Sequence, residues 1–243
     1  MTGEGKVLRE ISKRKENGFG RGNHIMSILK AENVSYKYEK SGDYVLKNVN
    51  AEFEKGKLYI LTGKSGAGKS TFLSLIAGLD RVSEGRIVYK DKDLAGMDLD
   101  AYRAKDIGVI FQNFNLLKNC SAVENILLSE RISLKKKGDE EEVLGLLKSL
   151  GISKETASRK VRHISGGEQQ RVSIARALSH SPEIVMADEP TGNLDEENSR
   201  EIMQIFRRLA HDEGKCVIVI SHSGKMWDYA DEILSVEDRR VKK

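Results

Sequence analysis

The run Gly63, Lys64, Ser65, Gly66, Ala67, Gly68, Lys69, Ser70, Thr71 has the form G-x-x-x-x-G-K-[ST]. Those residue types at that spacing do phosphate chemistry. Glycines at 63, 66 and 68 let the backbone curl so that N–H groups point inward at phosphate oxygens. Lys69 can reach β- and γ-phosphates, the Ser70 hydroxyl can ligate Mg2+, and Thr71 can add a phosphate contact. A second motif, the acidic pair Asp188-Glu189, follows the apolar run Ile184 to Ala187. A carboxylate at the end of a buried strand beside a phosphate loop is placed to hold Mg2+ through water. Glu189, one residue on, can polarise an attacking water as general base. Strands often end in acids for no catalytic reason, so the pair gains its meaning from the phosphate loop.

These residues need elements to position them. The apolar run Leu58 to Leu61 precedes the loop, and Phe72, Leu73, Ile76 and Leu79 recur after it at helical spacing. Strand, loop and helix in that order are the context the motif requires. A helix starting near Lys69 aims its positive dipole end at the same anion. Ile107 to Phe111, Ile184 to Ala187 and Val217 to Ile220 read as further buried parallel strands, with helices between them. One such helix carries Ile202, Phe206 and Leu209 on one face. Upstream, Val49, Ala51 and Phe53 alternate with Asn50, Glu52 and Glu54, a half-buried antiparallel pattern, and residues 27 to 38 read as an earlier strand of that small sheet. Between about 113 and 180 the strand signal disappears. Val143, Leu147 and Leu150 share one helical face, and Val172, Ala175 and Leu178 another. The expected fold class is α/β, a mostly parallel core sheet with an N-terminal antiparallel β subdomain and a helical insertion.

Composition fits this. The chain has 243 residues, 39% hydrophobic and 32% charged, which suits one large α/β domain. No window holds 18 uninterrupted apolar residues, so the sequence predicts no membrane span of its own. The first residues are charged throughout and lack an apolar stretch, so no secretory signal is expected and the chain is placed in the cytoplasm. Cys120 and Cys216 fit neither a disulfide framework nor zinc-ligand spacing and read as reduced thiols. Residues 1–25 carry six Lys/Arg against three Glu, leaving 35 against 34 in the rest. The net charge of +4 is therefore largely a property of this tail, which reads as a solvated extension or as a contact for phosphate or anionic lipid. Residues 26–243 form the expected folded domain.

Nucleotide binding alone is shared by GTPases, kinases and helicases. The run Ile164 to Gln170, I-S-G-G-E-Q-Q, narrows the class. It resembles the signature of the ATP-binding-cassette (ABC) ATPases, normally L-S-G-G-Q, with Ile for Leu and Glu168 for Gln. A hydroxyl and bare N–H groups at a helix start form another anion site. The resemblance implies that Ser165, Gly166, Gly167 and Glu168 meet the γ-phosphate held by the other copy of a dimer. It further implies a Q-loop glutamine at Gln112 that binds Mg2+ or water, a D-loop aspartate at Asp195 and a switch histidine at His222. Tyr38 would be an aromatic stacked on adenine. Taken singly, Gln112 is equally a loop residue, Asp195 a helix cap, His222 a structural histidine and Tyr38 a core aromatic with Tyr36 as competitor. Their order along the chain favours the family. The resemblance spans about residues 27 to 237.

What it implies is a P-loop NTPase of ABC type that binds ATP and Mg2+ and hydrolyses ATP as a homodimer. It would energise a separate integral-membrane permease from the inner face of the cell membrane, with no nucleic-acid partner. The phrase A-D-E-P-T-G-N-L-D, Ala187 to Asp195, resembles the subgroup paired with lipoprotein-releasing, macrolide- or peptide-exporting and cell-division permeases. A peptide, lipid-linked or antimicrobial cargo is the expectation, and a signalling cassette with a division-type permease is the alternative. A DNA-repair cassette is disfavoured, because only 96 positions separate Lys69 from Ser165. Phe114, Leu116 and Leu117, in the segment from Gln112 to about Leu128, are read as either permease-docking or core residues. Few residues are left after Val236, so no C-terminal regulatory domain is expected in this chain.

Overall fold

The computed structural model describes residues 27–38, 42–135 and 138–242. The basic segment 1–25 lies outside the described residues.

Alternation sets the first sheet. In β2 (Leu46–Glu54), Leu46, Val49, Ala51 and Phe53 are buried while Lys47, Asn50 and Glu52 are exposed. β2 pairs antiparallel with β1 (Ser27–Tyr36), which pairs antiparallel with β4 (Glu84–Tyr89); β5 (Lys92–Asp93) closes the order β2-β1-β4-β5.

The second sheet has the order β10-β9-β3-β8-β7-β6, built from β3 (Leu58–Thr62), β6 (Ile107–Ile110), β7 (Ile184–Asp188), β8 (Cys216–Ile220), β9 (Glu232–Glu237) and β10 (Arg240–Lys242). All neighbours are parallel except β10 on β9. The apolar runs are continuous because both faces are covered. Leu58, Ile60, Val217 and Val219 pack into one core, and Tyr59, Leu61, Ile218 and Ile220 into the other. The second core is shared with the antiparallel sheet, where Phe53 meets Tyr59 edge-to-face at 5.0 Å. Glu183 joins the two sheets at their rim, pairing with Lys55 at 2.5 Å and with Lys90. At the start of β3, Asp231 Oδ2 accepts from Leu58 N at 2.8 Å.

Helix α1 (Lys69–Ile76) follows β3, and α2 (Leu99–Lys105) precedes β6. α1 is shorter than its apolar spacing predicts. Gly78 takes a left-handed backbone (φ 65°), the usual helix stop, and leaves Leu79 48% exposed beyond the end. Residues 113–180 hold α3 (Ala122–Leu134), α4 (Glu140–Ser149), α5 (Lys154–Ser158) and α6 (Gly166–Leu178), with no named strand among the described residues. Ser121, Asp139, Ser153 and Ser165 cap them in that order, each accepting from a backbone N–H of the first turn. Ile126, Val143, Leu147, Ala157 and Val172 bury their common core. The amphipathic helix α7 (Glu196–His211) packs Ile202, Phe206 and Leu209 against the core sheet.

Candidate nucleotide site

The order β3-β8-β7-β6 brings four C-terminal strand ends side by side. From them emerge the phosphate loop, His222, the pair Asp188-Glu189 and Gln112. Loops at the carboxyl ends of adjacent parallel strands are where an α/β sheet binds ligands.

Gly63 begins the phosphate loop at φ 143°, and a Cβ there would lie 2.5 Å from Val236 O on β9. Gly68 ends it at φ 101°, pressed by Val45 and Leu46, and stands at the start of α1 with no side-chain cap. The first N–H groups of α1 therefore have no side-chain partner competing with an anion. Lys69 is buried and donates to Gly63 O at 3.0 Å and Lys64 O at 2.9 Å. Burial lowers the pKa of its ammonium, while Glu189 and Asp188 work the other way.

Asp188, partly buried at the end of β7, has Ser70 and Lys69 among the groups that act on its carboxyl. Burial pushes its carboxyl above the usual carboxylate range, Glu189 adds to the rise, and Ser70 and Lys69 oppose it. A hydroxyl and a carboxylate side by side would form a hard-oxygen donor set suited to Mg2+. Glu189 follows with a left-handed backbone, φ 46°, which is costly for a non-glycine residue. Its Oε1 lies 2.6 Å from His222 Nε2. Both line a cleft of about 480 Å3 with Thr191, Gly192, Ser199 and Ser221. Gln112 is exposed and reaches the same place. A Cβ on Gly192 would lie 3.4 Å from Gln112 Nε2 and 3.7 Å from Glu189 Oε2.

The two candidate aromatics separate by burial. Tyr36 is buried and hydrogen-bonded to Asp80. Tyr38 is 50% exposed, its hydroxyl 3.1 Å from Thr71 Oγ1, and its ring meets Tyr36 edge-on at 5.1 Å. Tyr38 thus offers an open ring beside the phosphate loop, which Tyr36 does not.

Ser165 caps α6 and is exposed, as is Gly166. Its Oγ accepts from Glu168 N at 3.3 Å, and Glu168 Oε2 accepts from Ser165 N at 2.8 Å. The Ser165 backbone N–H, aided by the Ser165 and Thr156 hydroxyls, holds the Glu168 carboxyl below its usual range. The structure gives Glu168 a capping role: its carboxylate faces its own helix end, where Gln would serve equally. Asp195 caps α7, accepting from Asn198 N at 2.9 Å and Asn198 Nδ2 at 2.8 Å. It is exposed, so the cap leaves it at the surface.

The residues that hold the segment after Gln112 were not legible in the sequence. Phe114 and Asn115 have left-handed backbones, φ 57° and 50°. Phe114 O accepts from Arg176 Nη2 at 3.0 Å and Ser173 Oγ at 3.3 Å, and Asn115 O accepts from Arg176 Nη1. Helix α6 therefore carries the signature turn at one end and grips the Gln112 loop at the other. Leu116 is core, Phe114 packs against the core, and Leu117 is 48% exposed. The docking-or-core choice thus resolves as core for Leu116 and surface for Leu117.

Comparison with known proteins gives the family. Residues 46–192 match the ABC transporter family. The ABC transporter ATP-binding protein YclH of Bacillus subtilis is 41% identical over 207 residues, covering 85% of this chain and 92% of its own length. The lipoprotein-releasing system ATP-binding protein LolD of Cytophaga hutchinsonii is 37% identical, covering 88% and 98%. The cassette MJ0796 of Methanocaldococcus jannaschii, solved as a dimer and in a post-hydrolysis state with ADP and Pi, superposes with a TM-score of 0.80 at 34% identity, covering 88% of this chain and 97% of that one. The chain belongs to the ABC transporter ATP-binding family. It is an ATPase cassette of that family, with the P-loop NTPase fold.

Proposed function

We propose that the chain hydrolyses Mg2+-bound ATP in a head-to-tail pair of copies and so energises a permease carried on a separate polypeptide at the inner face of the membrane. The observation that carries the proposal is the meeting of Lys69, Asp188, Glu189, Gln112 and His222 at four adjacent strand ends. Lys69 and the first N–H groups of α1 bind the phosphates, and Tyr38 stacks on the base. Ser70 and Asp188 would hold Mg2+, which would supply neutralisation of phosphate charge. Gln112 and His222 border the water and the γ-phosphate. Water oxygen attacks γ-phosphorus, its proton passes to Glu189, and ADP leaves. Ser165, Gly166 and Gly167 of one copy close on the nucleotide of the other, together with Asp195, and Glu168 fixes that turn by capping it.

The similarity to LolD supports an export or extraction role, for a peptide, lipid-linked or antimicrobial cargo that the permease recognises. Among the described residues no helix is long and apolar enough to cross a membrane, which accords with a spanning part outside them. Exposed Leu117, beside the Gln112 loop, offers the permease an apolar contact. The test is pull-down of a membrane partner followed by ATPase assay of the complex with candidate cargo. A chain that recovers no permease, or a complex whose ATPase is indifferent to every cargo, would sink the transport reading. Leu117→Glu should lower permease recovery while leaving ATP binding intact.

A further inference from the structure

Asn198, in the first turn of α7, has both ends of its side-chain amide engaged. Its Nδ2 donates to Asp195 Oδ2 at 2.8 Å, and its backbone N donates to Asp195 Oδ1 at 2.9 Å. One residue therefore fixes both oxygens of that carboxylate. Its Oδ1 accepts from Arg171 Nη1 at 3.3 Å, and the same guanidinium pairs with Glu201 at 2.9 Å, one turn further along α7. Arg171 belongs to α6, two turns from Ser165. A Cβ on Gly167 would lie 2.2 Å from Asn198 Oδ1 and 2.8 Å from its Cγ, so the amide rests on the bare Cα of the signature turn. Next to it, a Cβ on Gly166 would lie 3.8 Å from Leu194 Cδ2. Gly167 is outside the left-handed region, so what its missing side chain supplies is room for Asn198.

We infer that Asn198 is a positioning residue that joins the signature turn and Asp195 into one rigid unit, so that both meet the opposite copy's nucleotide in fixed relation. The inference rests on the head-to-tail reading above. The physical reason is register. Two groups on separate helices that must engage one ligand lose affinity if they move independently, because ordering them has to be done at binding. Asn198 does that ordering in the free chain. Replacing it with Ala keeps the backbone N–H that Asp195 accepts, and keeps the Arg171–Glu201 pair, so both helices retain their ends.

The test uses the full chain in a Glu189→Gln background, where ATP should persist. Single-copy affinity is read by fluorescent ATP at high dilution, and ATP-driven dimerisation by sedimentation. Asn198→Ala and Asn198→Asp should bind ATP within about twofold of the parent yet dimerise about tenfold more weakly, the scale of one lost polar coupling. The Asp variant keeps the size and an acceptor for Arg171 but cannot donate to Asp195, so it separates positioning from packing if the Ala variant folds poorly. Dimerisation at parental concentration by the folded variants overturns the proposal alone. ATP affinity falling in step with dimerisation also overturns it, as that marks general damage. A parent that stays monomeric with ATP overturns the head-to-tail reading and this inference with it.

Discussion

His222 Nε2 lies 2.6 Å from Glu189 Oε1, and the backbone that presents Glu189 is left-handed at φ 46°. A carboxylate held this way has its reach set by β7 and its orientation set by the histidine at the end of β8. Hydrogen-bonded partners with a strained backbone are a recurrent mark of a catalytic position.

From that pair, Glu189→Gln should lower the rate of ATP hydrolysis by about 10^2- to 10^4-fold, the usual worth of a general base. Gln keeps the size and a hydrogen bond to His222 but cannot take a proton. ATP should remain bound, and phosphate release in single-turnover assays is the readout. Near-normal hydrolysis would remove Glu189 from the role of base.

Lys69→Ala should lower ATP affinity by at least about tenfold in calorimetry, because a buried ammonium aimed into the phosphate loop is lost. The protein should still fold, since the carbonyls of Gly63 and Lys64 that Lys69 touches lie in a partly open loop. Unchanged affinity would contradict the assignment.

Tyr38→Ala should weaken ATP by about 1–3 kcal/mol, the value of one base–aromatic stack, and leave inorganic triphosphate unaffected. Tyr38→Phe keeps the ring and loses only the hydroxyl contact with Thr71, so most of the affinity should return. Equal loss for ATP and triphosphate would place the effect in the phosphate loop.

Glu168→Ala should cost about 1 kcal/mol of stability through loss of the α6 capping box, and Glu168→Gln much less. The Glu168 pKa is depressed in the folded chain, so its contribution is complete above the ordinary carboxylate pKa of about 4.3 and is lost as pH falls through the depressed value. Melting curves should therefore converge on the Ala variant under acid for the wild type, whereas Gln keeps its acceptor. A Glu168→Gln variant that loses ATPase with unchanged stability would point to direct nucleotide contact instead.

The parts legible in the sequence were those where apolar runs and chemical motifs adjoin. β3, β7 and β8 are buried on both faces, so each reads as an apolar run, and Gly63, Asp188 and His222 stand at or within two residues of their ends. β4 escaped because Glu84, Gly85 and Arg86 are all exposed, and only Ile87 and Tyr89 are buried. β5 and β10 are two and three residues long, too short to carry a period. The grip of Arg176 on Phe114 O joins residues 62 positions apart, and no local pattern announces it. Leu116 and Leu117 are chemically alike, and only the fold decides which one faces solvent. Burial likewise separates Tyr36 from Tyr38.

Because β3 is apolar on both faces, sliding it by one residue would bury as much oil as before. Its register is decided at its two ends, where Asp231 holds Leu58 N and Val236 O abuts Gly63. A one-residue slip would carry the phosphate loop about 3.3 Å along the sheet, further than a hydrogen bond is long. The aim of the ATP-binding loop is thus indexed by a strand and a turn that touch no ligand. Drift at Asp231 or beside Val236 could silence a lineage of such cassettes while every motif residue remained intact.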